Sequence, residues 1–246
     1  MSKLNLRIHI APVGFEIDRI VLPAKERRAD KVYLMIHENQ SEDKAGPFVE
    51  KIKKQLQAQN IETVIEHHDR LDIFKIIKSI KGIIQKEKGN NVYVNLASGS
   101  KIQAIAGMMT CMMYNEADNV IPFYVEAQDY LGFSGQQTSK GIKEIIDLPS
   151  YEIQKPVEKH IQTLRIIQEH GGRITKKEMA KLAAEEKLIR VDAKEENISQ
   201  ARFASLDKNL IQPLREHWKF IREEKVGRTR WIIITEDGIN AAQFLI

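Results

Sequence analysis

The sequence contains few of the residues that form covalent cross-links or bind metals as thiolates. Its 246 residues include one cysteine, seven prolines and two tryptophans. Because Cys111 is the only cysteine, an internal disulfide is excluded, and so is a metal site built on several thiolates. A chain with one thiol also fits a reducing compartment, so we expect a cytoplasmic protein.

Long hydrophobic runs are also absent. No apolar run reaches the roughly 18 residues of a membrane span, and the first residues lack the apolar stretch of a secretory signal peptide. We therefore expect no membrane partner. Disorder is excluded as well, because 42% of the residues are hydrophobic and the formal net charge is only +4. The length fits one or two folded domains.

The first 148 residues alternate between β-rich and amphipathic segments. This alternation predicts right-handed crossovers and an α/β fold, a Rossmann-like and mainly parallel sheet with helices on both faces. Residues 127–148 are expected to be irregular, forming a loop or a hairpin, with a last strand near 143–148. Asp69 is the expected N-cap of the third helix. The five strand-like runs lie at 4–10, 31–37, 61–67, 91–96 and 119–126.

Two of these strands run into loops of small residues. In a sheet of order 3-2-1-4-5, the ends of the first and fourth strands are neighbours at the point where ligands bind. Glycine lets a backbone approach a ligand, and free N–H groups at a helix start suit a phosphate. The alternative is a turn that merely needs small residues; the spacing of a Walker A loop is absent. The loop residues are Pro12, Val13, Gly14 and Phe15 after the first strand, and Ala97, Ser98, Gly99, Ser100 and Lys101 after the fourth.

The helix expected from Ile102 to Tyr114 carries almost no charge. Its apolar residues include Met109 and Met112, and a helix that is apolar all round must be covered all round. One side can pack on the sheet. The other side needs either the segment 127–148 or a second copy of the chain about a two-fold axis.

The sequence pattern changes after a short segment with a proline at each end. We expect residues 1–148 to form the first domain and 149–156 to form a linker. Residues 157–246 read as three helices followed by two strands around a turn, which predicts a winged helix-turn-helix domain. A capping box at residues 175–178 opens its second helix.

The third helix of this domain, residues 199–218, is the candidate recognition helix. Ser199 is its expected N-cap, with Ile198 and Phe203 as a hydrophobic staple. Residues 197–235 hold eight basic and four acidic side chains, so their net charge of +4 equals that of the whole chain. The alternative is an ordinary solvated face or a protein-contact module. The residues expected to contact DNA are Arg202, Ser205, Lys208, Asn209 and Gln212 on the helix, and Arg228 and Arg230 in the wing.

The stretch "NLASGSK", the uncharged helix behind it and the winged helix at the end together resemble a known family. They are similar to CARF (CRISPR-associated Rossmann fold) proteins, and the whole chain looks like the archaeal CARF–winged-helix transcriptional regulators. The loop motif is short, so the domain order carries much of the weight. The resemblance implies a homodimer that binds a cyclic oligoadenylate across its two-fold axis, through residues 12–15 and 98–101, and double-stranded DNA on the winged helix. Ser100 stands where related loops often carry a second glycine or a threonine, so the ring size is open.

Two enzymatic alternatives stay open beside this regulator. Some CARF domains slowly cut their cyclic ligand; here Ser98 and Lys101 would orient the attack and stabilise the developing charge. Others carry a nuclease domain with an Arg-x4–6-His string, which is present from Arg165 to His170. Residues five apart on a helix, however, point about 140° from each other. The stretch 192–194 is a fragment of a metal-nuclease pattern that lacks the other acids.

His67, His68 and Asp69 together resemble a metal-binding cluster. Adjacent strand residues point to opposite faces of a sheet, so the two histidines cannot easily share an ion. We therefore expect a helix cap at Asp69 and two surface histidines. No metal or other cofactor is expected.

Overall fold

The computed structural model describes residues 5–39, 43–114, 119–132, 136–191 and 197–246. The chain divides into two units, Met1–Gln154 and Lys155–Ile246. Within the described ranges, no helix is both long enough and apolar enough to span a bilayer.

The first unit is a six-stranded sheet flanked by helices. The strand order is β3-β2-β1-β4-β5-β6, with parallel pairs throughout except for the antiparallel pair of β5 and β6. The predicted Rossmann-like fold is therefore confirmed, and β6, which contains most of the expected last strand, pairs with β5 at the edge of the predicted order. The elements are β1 Arg7–Pro12, α1 Asp18–Glu26, β2 Lys31–His37, α2 Gly46–Gln57, β3 Glu62–His68, α3 Ile73–Lys86, β4 Asn91–Asn95, α4 Lys101–Met113, β5 Val120–Tyr130 and β6 Ser139–Asp147.

Of the two forms expected for residues 127–148, a loop or a hairpin, the structure shows the hairpin. Strand β5 continues well beyond its predicted end, and β6 returns along it as the second arm of a hairpin. A shift of register between Glu126 and Ala127 marks a bulge in β5. The predicted last strand at 143–148 matches the second half of β6, and the first half was not recognised because serine, lysine and glycine form no apolar run there.

The N-cap of α3 is Asp72, so the expectation for Asp69 is wrong. Asp72 Oδ1 accepts hydrogen bonds from Phe74 N at 2.9 Å and from Lys75 N at 3.2 Å. Asp69 lies one turn earlier, where its Oδ1 accepts from Leu71 N at 3.0 Å. Both aspartates satisfy backbone donors, but only the later one satisfies donors of the helix itself.

The second unit has the predicted order of three helices followed by a two-stranded wing. Its small sheet has the order β7-β9-β8, and both pairs are antiparallel. The turn between the wing strands contains Gly227 at a φ of +62°. The elements are α5 Glu158–Glu169, β7 Arg173–Thr175, α6 Lys176–Glu185, α7 Ile198–Leu206, β8 Ile221–Val226, β9 Thr229–Ile234 and α8 Glu236–Leu245.

Helix α7 begins two residues earlier than the expected cap at Ser199 implies. Its N-cap is Asn197, which forms no side-chain capping bond, and Ile198 is already helical. The expected cap at Ser199 and the staple of Ile198 with Phe203 are therefore wrong. By contrast, Thr175 caps α6 as expected, since its hydroxyl accepts from Glu178 N at 3.2 Å.

The recognition helix continues beyond α7 in two wider turns. Residues Asp207–Ile211 and Pro213–His217 are π-helical. The N–H of Trp218 donates to the carbonyl of Pro213, five residues back, at 3.1 Å. Proline has no N–H to give and its ring crowds the preceding turn, which accounts for the widening. The leucines on one side of this helix nevertheless stay buried: Leu206, Leu210 and Leu214.

The chain that leaves the first unit is bonded to α4. The N–H of Ile153 donates to the carbonyl of Met112 at 3.1 Å. Met112 lies in the last turn of α4, where carbonyls find no partner within the helix. This exit segment, residues 149–154, thus satisfies a carbonyl that the helix leaves open.

Candidate functional site

The candidate site lies at the carboxyl ends of β1 and β4. These neighbouring parallel strands occupy the centre of the sheet, where the strand order reverses. Open α/β sheets bind ligands beyond the strand ends at such a reversal. Both predicted loops, 12–15 and 97–101, lie at this edge; we call residues 97–101 the anion loop.

Two glycines bring the loops into direct contact. A Cβ atom added at Gly14 would lie 3.1 Å from Gly99 N and 3.2 Å from Gly99 Cα. Gly99 itself has a φ of +76°, and a Cβ there would meet Pro12 Cβ at 2.6 Å and Gln103 Oε1 at 2.7 Å. Only glycine fits at this crossing, because both its conformation and its surroundings exclude a side chain.

The first loop presents backbone rather than side chains at the site. Val13 is buried, and its N–H donates to Met35 O at 2.9 Å. Phe15 packs on the ring of Phe48 with centroids 5.5 Å apart. Of the predicted residues in this loop, Pro12 and Gly14 are therefore the ones whose backbone lies against the anion loop.

Ser98 is a buried residue of the anion loop. Its hydroxyl donates to the carbonyl of Pro12 at 2.7 Å, which ties the anion loop to the end of β1. A serine hydroxyl has one proton to donate. With that proton used, the donor that Ser98 can offer an anion is its backbone N–H.

Asn95 helps to hold the anion loop in place, a role that was not predicted from the sequence. It is buried at the end of β4, where its Nδ2 donates to Arg19 O at 2.8 Å and its Oδ1 accepts from Ala97 N at 2.9 Å. The side chain thus links the start of the anion loop to α1. The available signal was a polar amide at the end of an otherwise apolar strand.

A capping box opens α4 and leaves two donors free. Ser100 Oγ accepts from Gln103 N at 3.3 Å, and Gln103 Oε1 accepts from Ser100 N at 2.7 Å. The N–H groups of Lys101 and Ile102 then begin the helix without acceptors inside it. These donors and the helix dipole favour an anion. The Lys101 side chain is exposed beside them and forms no ion pair within the described part of the chain.

The start of α1 offers no comparable site. Gln137 lies between β5 and β6. Its Oε1 accepts hydrogen bonds from Ile17 N at 3.2 Å and from Asp18 N at 3.1 Å. Asp18 Oδ2 in turn accepts from Gly141 N at 2.8 Å. Because the hairpin occupies these groups, the open helix start at this edge is that of α4.

The third strand also reaches the site, through His68. Its Nε2 lies 2.9 Å from Nε2 of Gln103. The expectation of two surface histidines is wrong here, since His68 is buried and only His67 is exposed. Burial, and secondarily the charge of His37, lowers the pKa of His68 to about 4, so its ring is neutral at pH 7. Among the described residues, no group of three His, Cys, Asp or Glu side chains could hold a metal ion.

In the second unit, part of the predicted DNA-contacting stripe is engaged internally. Ser205 Oγ donates to Arg190 O at 2.9 Å, and Asn209 Nδ2 donates to Ser205 O at 3.0 Å. Lys208 and Gln212 are exposed on the same helix. Lys208 is therefore better placed than Ser205 or Asn209 to reach a partner, and Gln212, whose Nε2 donates to Glu216 Oε2 at 3.1 Å, is exposed with it.

The three predicted arginines line adjoining cavities. One cavity of about 500 Å³ lies between α6, the recognition helix and the wing, and Arg228 and Arg230 line it. A second, of about 400 Å³, is lined by Arg202. Both cavities include Lys177 and Phe203 in their walls. The fold thus collects basic side chains that are far apart in sequence into one surface, which we call the basic cleft.

The two residues of the nuclease alternative, Arg165 and His170, interact with residues on their own helix or the next one. Arg165 lies 3.9 Å from Glu169 and 4.0 Å from Glu186 in ion pairs. His170 ends α5, and its Nδ1 lies 2.7 Å from Ile166 O. The stretch 192–194 lies outside the described residues.

Family models match both units. Residues 7–130 match a model described as HFX_2341_N-like, N-terminal, and residues 159–246 match the DUF6293 C-terminal winged helix domain. The predicted resemblance, a CARF-like Rossmann domain followed by a winged helix, is confirmed at this level. The uncharacterized protein MJ1513 of Methanocaldococcus jannaschii is 31% identical over 212 residues, which cover 76% of this chain and 63% of MJ1513. The match thus spans less than two thirds of that relative.

Solved structures with similar folds include two ligand complexes. Enterococcus italicus Csm6 bound to cyclic hexa-2'-fluoro-hexa-dAMP has 12% identity and a TM-score of 0.44, over 87% of this chain and 56% of that one. Can2 from Sulfobacillus thermosulfidooxidans in complex with cyclic tetra-adenylate has 14% identity and a TM-score of 0.40, over 97% and 63%. At TM-scores below 0.5 these similarities carry no further argument.

Proposed function

We propose that this chain, which belongs to the family that joins an HFX_2341_N-like N-terminal domain to a DUF6293 C-terminal winged helix domain, is a ligand-sensing transcriptional regulator. Its first domain binds a cyclic oligoadenylate, and its winged helix binds double-stranded DNA. The observation that carries the proposal is the open start of α4, with Lys101 beside it, at the centre of the sheet edge.

The chemistry of this helix start favours a phosphodiester. The N–H groups of Lys101 and Ile102 have no acceptor within the helix, and an ammonium group lies next to them. A cyclic oligoadenylate carries one phosphate per nucleotide, and its rotational symmetry matches a site shared by two protomers. The resemblance to CARF proteins supplies the ligand class, and the geometry supplies a place for its phosphates.

The exposed side of α4 supports a homodimer. Ile105 is 56% exposed although it is a large apolar residue on a helix with no other charge than Lys101. Met108, Met109 and Met112 are also partly exposed. A second copy of α4 across a two-fold axis would cover this face and bring two anion loops together.

The basic cleft supports DNA binding by the second domain. Arg228 and Arg230 line it from the wing, and Arg202 lines it from the recognition helix. Guanidinium groups bind phosphates and base edges. We assign phosphate contacts to the wing arginines and base contacts to Arg202, Lys208 and Gln212, while Ser205 and Asn209 hold the helix in place.

The enzymatic alternatives receive less support. The proton of the Ser98 hydroxyl is donated to Pro12 O, so this group does not face a substrate as a free donor. Arg165 and His170 each have local partners on their own helix or the next one. The first pair thus keeps only the Lys101 ammonium group facing the site, and in the second pair the guanidinium of Arg165 is held by Glu169 and Glu186.

Lys101→Ala tests the ligand assignment. Calorimetry with cyclic tetra-adenylate and cyclic hexa-adenylate should show binding to the native protein and about tenfold or greater weakening in the variant, since each protomer loses a charge-assisted contact. Lys88→Ala is the matched control, because this exposed lysine precedes β4 at the opposite edge of the sheet. Binding of neither ring by the native protein, or equal affinity in both variants, would overturn the assignment.

A further inference from the structure

The chemistry on both sides of Gln103 fixes the orientation of its amide. A backbone N–H can only donate, so the Gln103 atom that lies 2.7 Å from Ser100 N is Oε1. The other amide atom is then Nε2, a donor, and it lies 2.9 Å from Nε2 of His68. A ring nitrogen that receives this bond carries no proton. His68 is therefore the tautomer protonated on Nδ1.

The surroundings keep His68 in this neutral form. The residue is 4% exposed, at the end of β3. His37 on β2 faces it closely, with Nδ1 3.3 Å from the carbonyl oxygen of His68, and adds a second titratable ring. The carboxylate of Asp69 follows His68 directly but bonds to Leu71 N and Lys75 Nζ instead. The ring thus presents a lone pair to Gln103.

The position of Gln103 Oε1 determines two properties of the anion loop. It accepts the N–H of Ser100, and it lies under Gly99, where an added Cβ would meet it at 2.7 Å. If the amide were reversed, an NH₂ group would face the N–H of Ser100, and donor would meet donor. The loop would then lose the bond that closes its capping box.

We propose that His68 and Gln103 are positioning residues of the anion loop. Neither contacts the ligand. His68 sets the amide of Gln103, the amide holds Ser100 and supports the turn at Gly99, and the loop then directs the N–H groups of Lys101 and Ile102 outward. The ligand identity rests on the proposed function, whereas the arrangement of the loop does not.

Variants of His68 and Gln103 separate positioning from bulk packing. His68→Leu removes the acceptor and Gln103→Leu removes the amide, so each should weaken binding of cyclic tetra-adenylate about tenfold, the equivalent of one hydrogen bond. His68→Gln supplies an amide oxygen in place of Nε2 and should bind within about twofold of the native protein. His67→Leu, a change at the exposed neighbour in the same strand, is the control and should bind like the native protein. Native affinity in His68→Leu, or loss of binding in a folded His68→Gln, would contradict the proposal.

Two readouts need no ligand. Nitrogen NMR of the imidazole should show His68 protonated on Nδ1 and not on Nε2, and amide exchange at Ser100 should become faster in Gln103→Leu. A proton on Nε2, or unchanged exchange at Ser100, would overturn the proposal even if His68→Leu fails to fold. If the native protein binds no cyclic oligoadenylate, the proposed function fails, while these readouts still decide the role of His68 and Gln103.

Discussion

Gly99 is the residue at which conformation and packing act together. Its φ is +76°, and an added Cβ would lie 2.6 Å from Pro12 Cβ. We expect Gly99→Ala to lower the free energy of unfolding by about 2–5 kcal/mol, because left-handed strain and overlap add. Gly89→Ala is the control, with a φ of +89° but no atom within 4 Å of the new Cβ. It should cost about 1–2 kcal/mol. Equal losses in urea denaturation would show that the loops are not held in contact.

His9 and His68 make the stability of the first unit depend on pH. Burial first, then Arg27 and Arg7, lowers the pKa of His9 to about 3, and burial lowers that of His68 to about 4, both from 6.5. Below pH 6.5 the two histidines of the unfolded chain therefore bind protons that the same histidines of the folded chain do not bind. Stability is full above pH 6.5 and falls towards pH 4 by about 1.4 kcal/mol per pH unit for each histidine.

Urea denaturation at several pH values, followed by circular dichroism, measures this dependence. Both tryptophans, Trp218 and Trp231, belong to the second unit, so tryptophan fluorescence would report the wrong half of the chain. His9→Phe should reduce the slope by the share of one histidine. An unchanged slope in that variant would contradict the origin assigned to it.

Some residues of the candidate site could be predicted from the sequence, and others could not. Gly14, Gly99 and Lys101 could be predicted, because glycine and lysine at a strand-to-helix junction have a physical meaning without further context. His68 and Gln103 could not, since they lie 35 positions apart on separate elements and only the fold brings them together. Ser98 belongs to the predicted loop, but its partner, the carbonyl of Pro12, is an atom that no sequence pattern displays.

At the scale of elements, α4 has one face that the described chain leaves open. Ile105→Glu should give a monomer that folds normally, because Ile105 is 56% exposed in a single chain and a charge is costly only where a partner would bury it. Leu71→Glu, at a residue 71% exposed before α3, should leave the oligomeric state unchanged. Light scattering distinguishes these outcomes; a dimer in both variants would place the interface elsewhere.

The helices and strands could be predicted from the hydrophobic periodicity of the sequence, except where the backbone departs from regular geometry. The parallel strands and their crossover helices were predictable because apolar runs and amphipathic repeats alternate. The hairpin of β5 and β6 could be predicted only as one of two alternatives, since an exposed antiparallel edge has no continuous apolar run. The wider turns around Pro213 were missed, because proline usually ends a helix and here the helix widens and continues.

At the scale of the whole molecule, the proposal predicts two kinds of DNA variant. Arg228→Ala and Arg230→Ala should weaken binding to all duplexes and each reduce the salt slope by about one. Arg202→Ala and Gln212→Ala should instead relax preference at particular positions by about 1–3 kcal/mol. Half-sites about one helical turn apart are expected for a two-fold dimer.

Titration against the protein's own upstream DNA and against random duplex, at several salt concentrations with and without cyclic tetra-adenylate, measures these effects. Lys187→Ala is the control, since this exposed lysine does not line the basic cleft. Equal and weak binding to both duplexes, unchanged by ligand, would assign the winged helix to a different partner.

The hydrogen bond from Ile153 N–H to the carbonyl of Met112 attaches the exit segment to the last turn of α4, so both ends of this helix contact something outside it. Its first turn lies at the proposed phosphate site, and its last turn holds the segment that leads into the second unit. Any coupling through this helix is reciprocal: the factor by which the cyclic nucleotide changes the affinity for DNA is also the factor by which DNA changes the affinity for the nucleotide. In the proposed regulator, a protomer pair on its operator would therefore respond at a different messenger concentration from a free pair, and the promoter itself would set the threshold of the sensor.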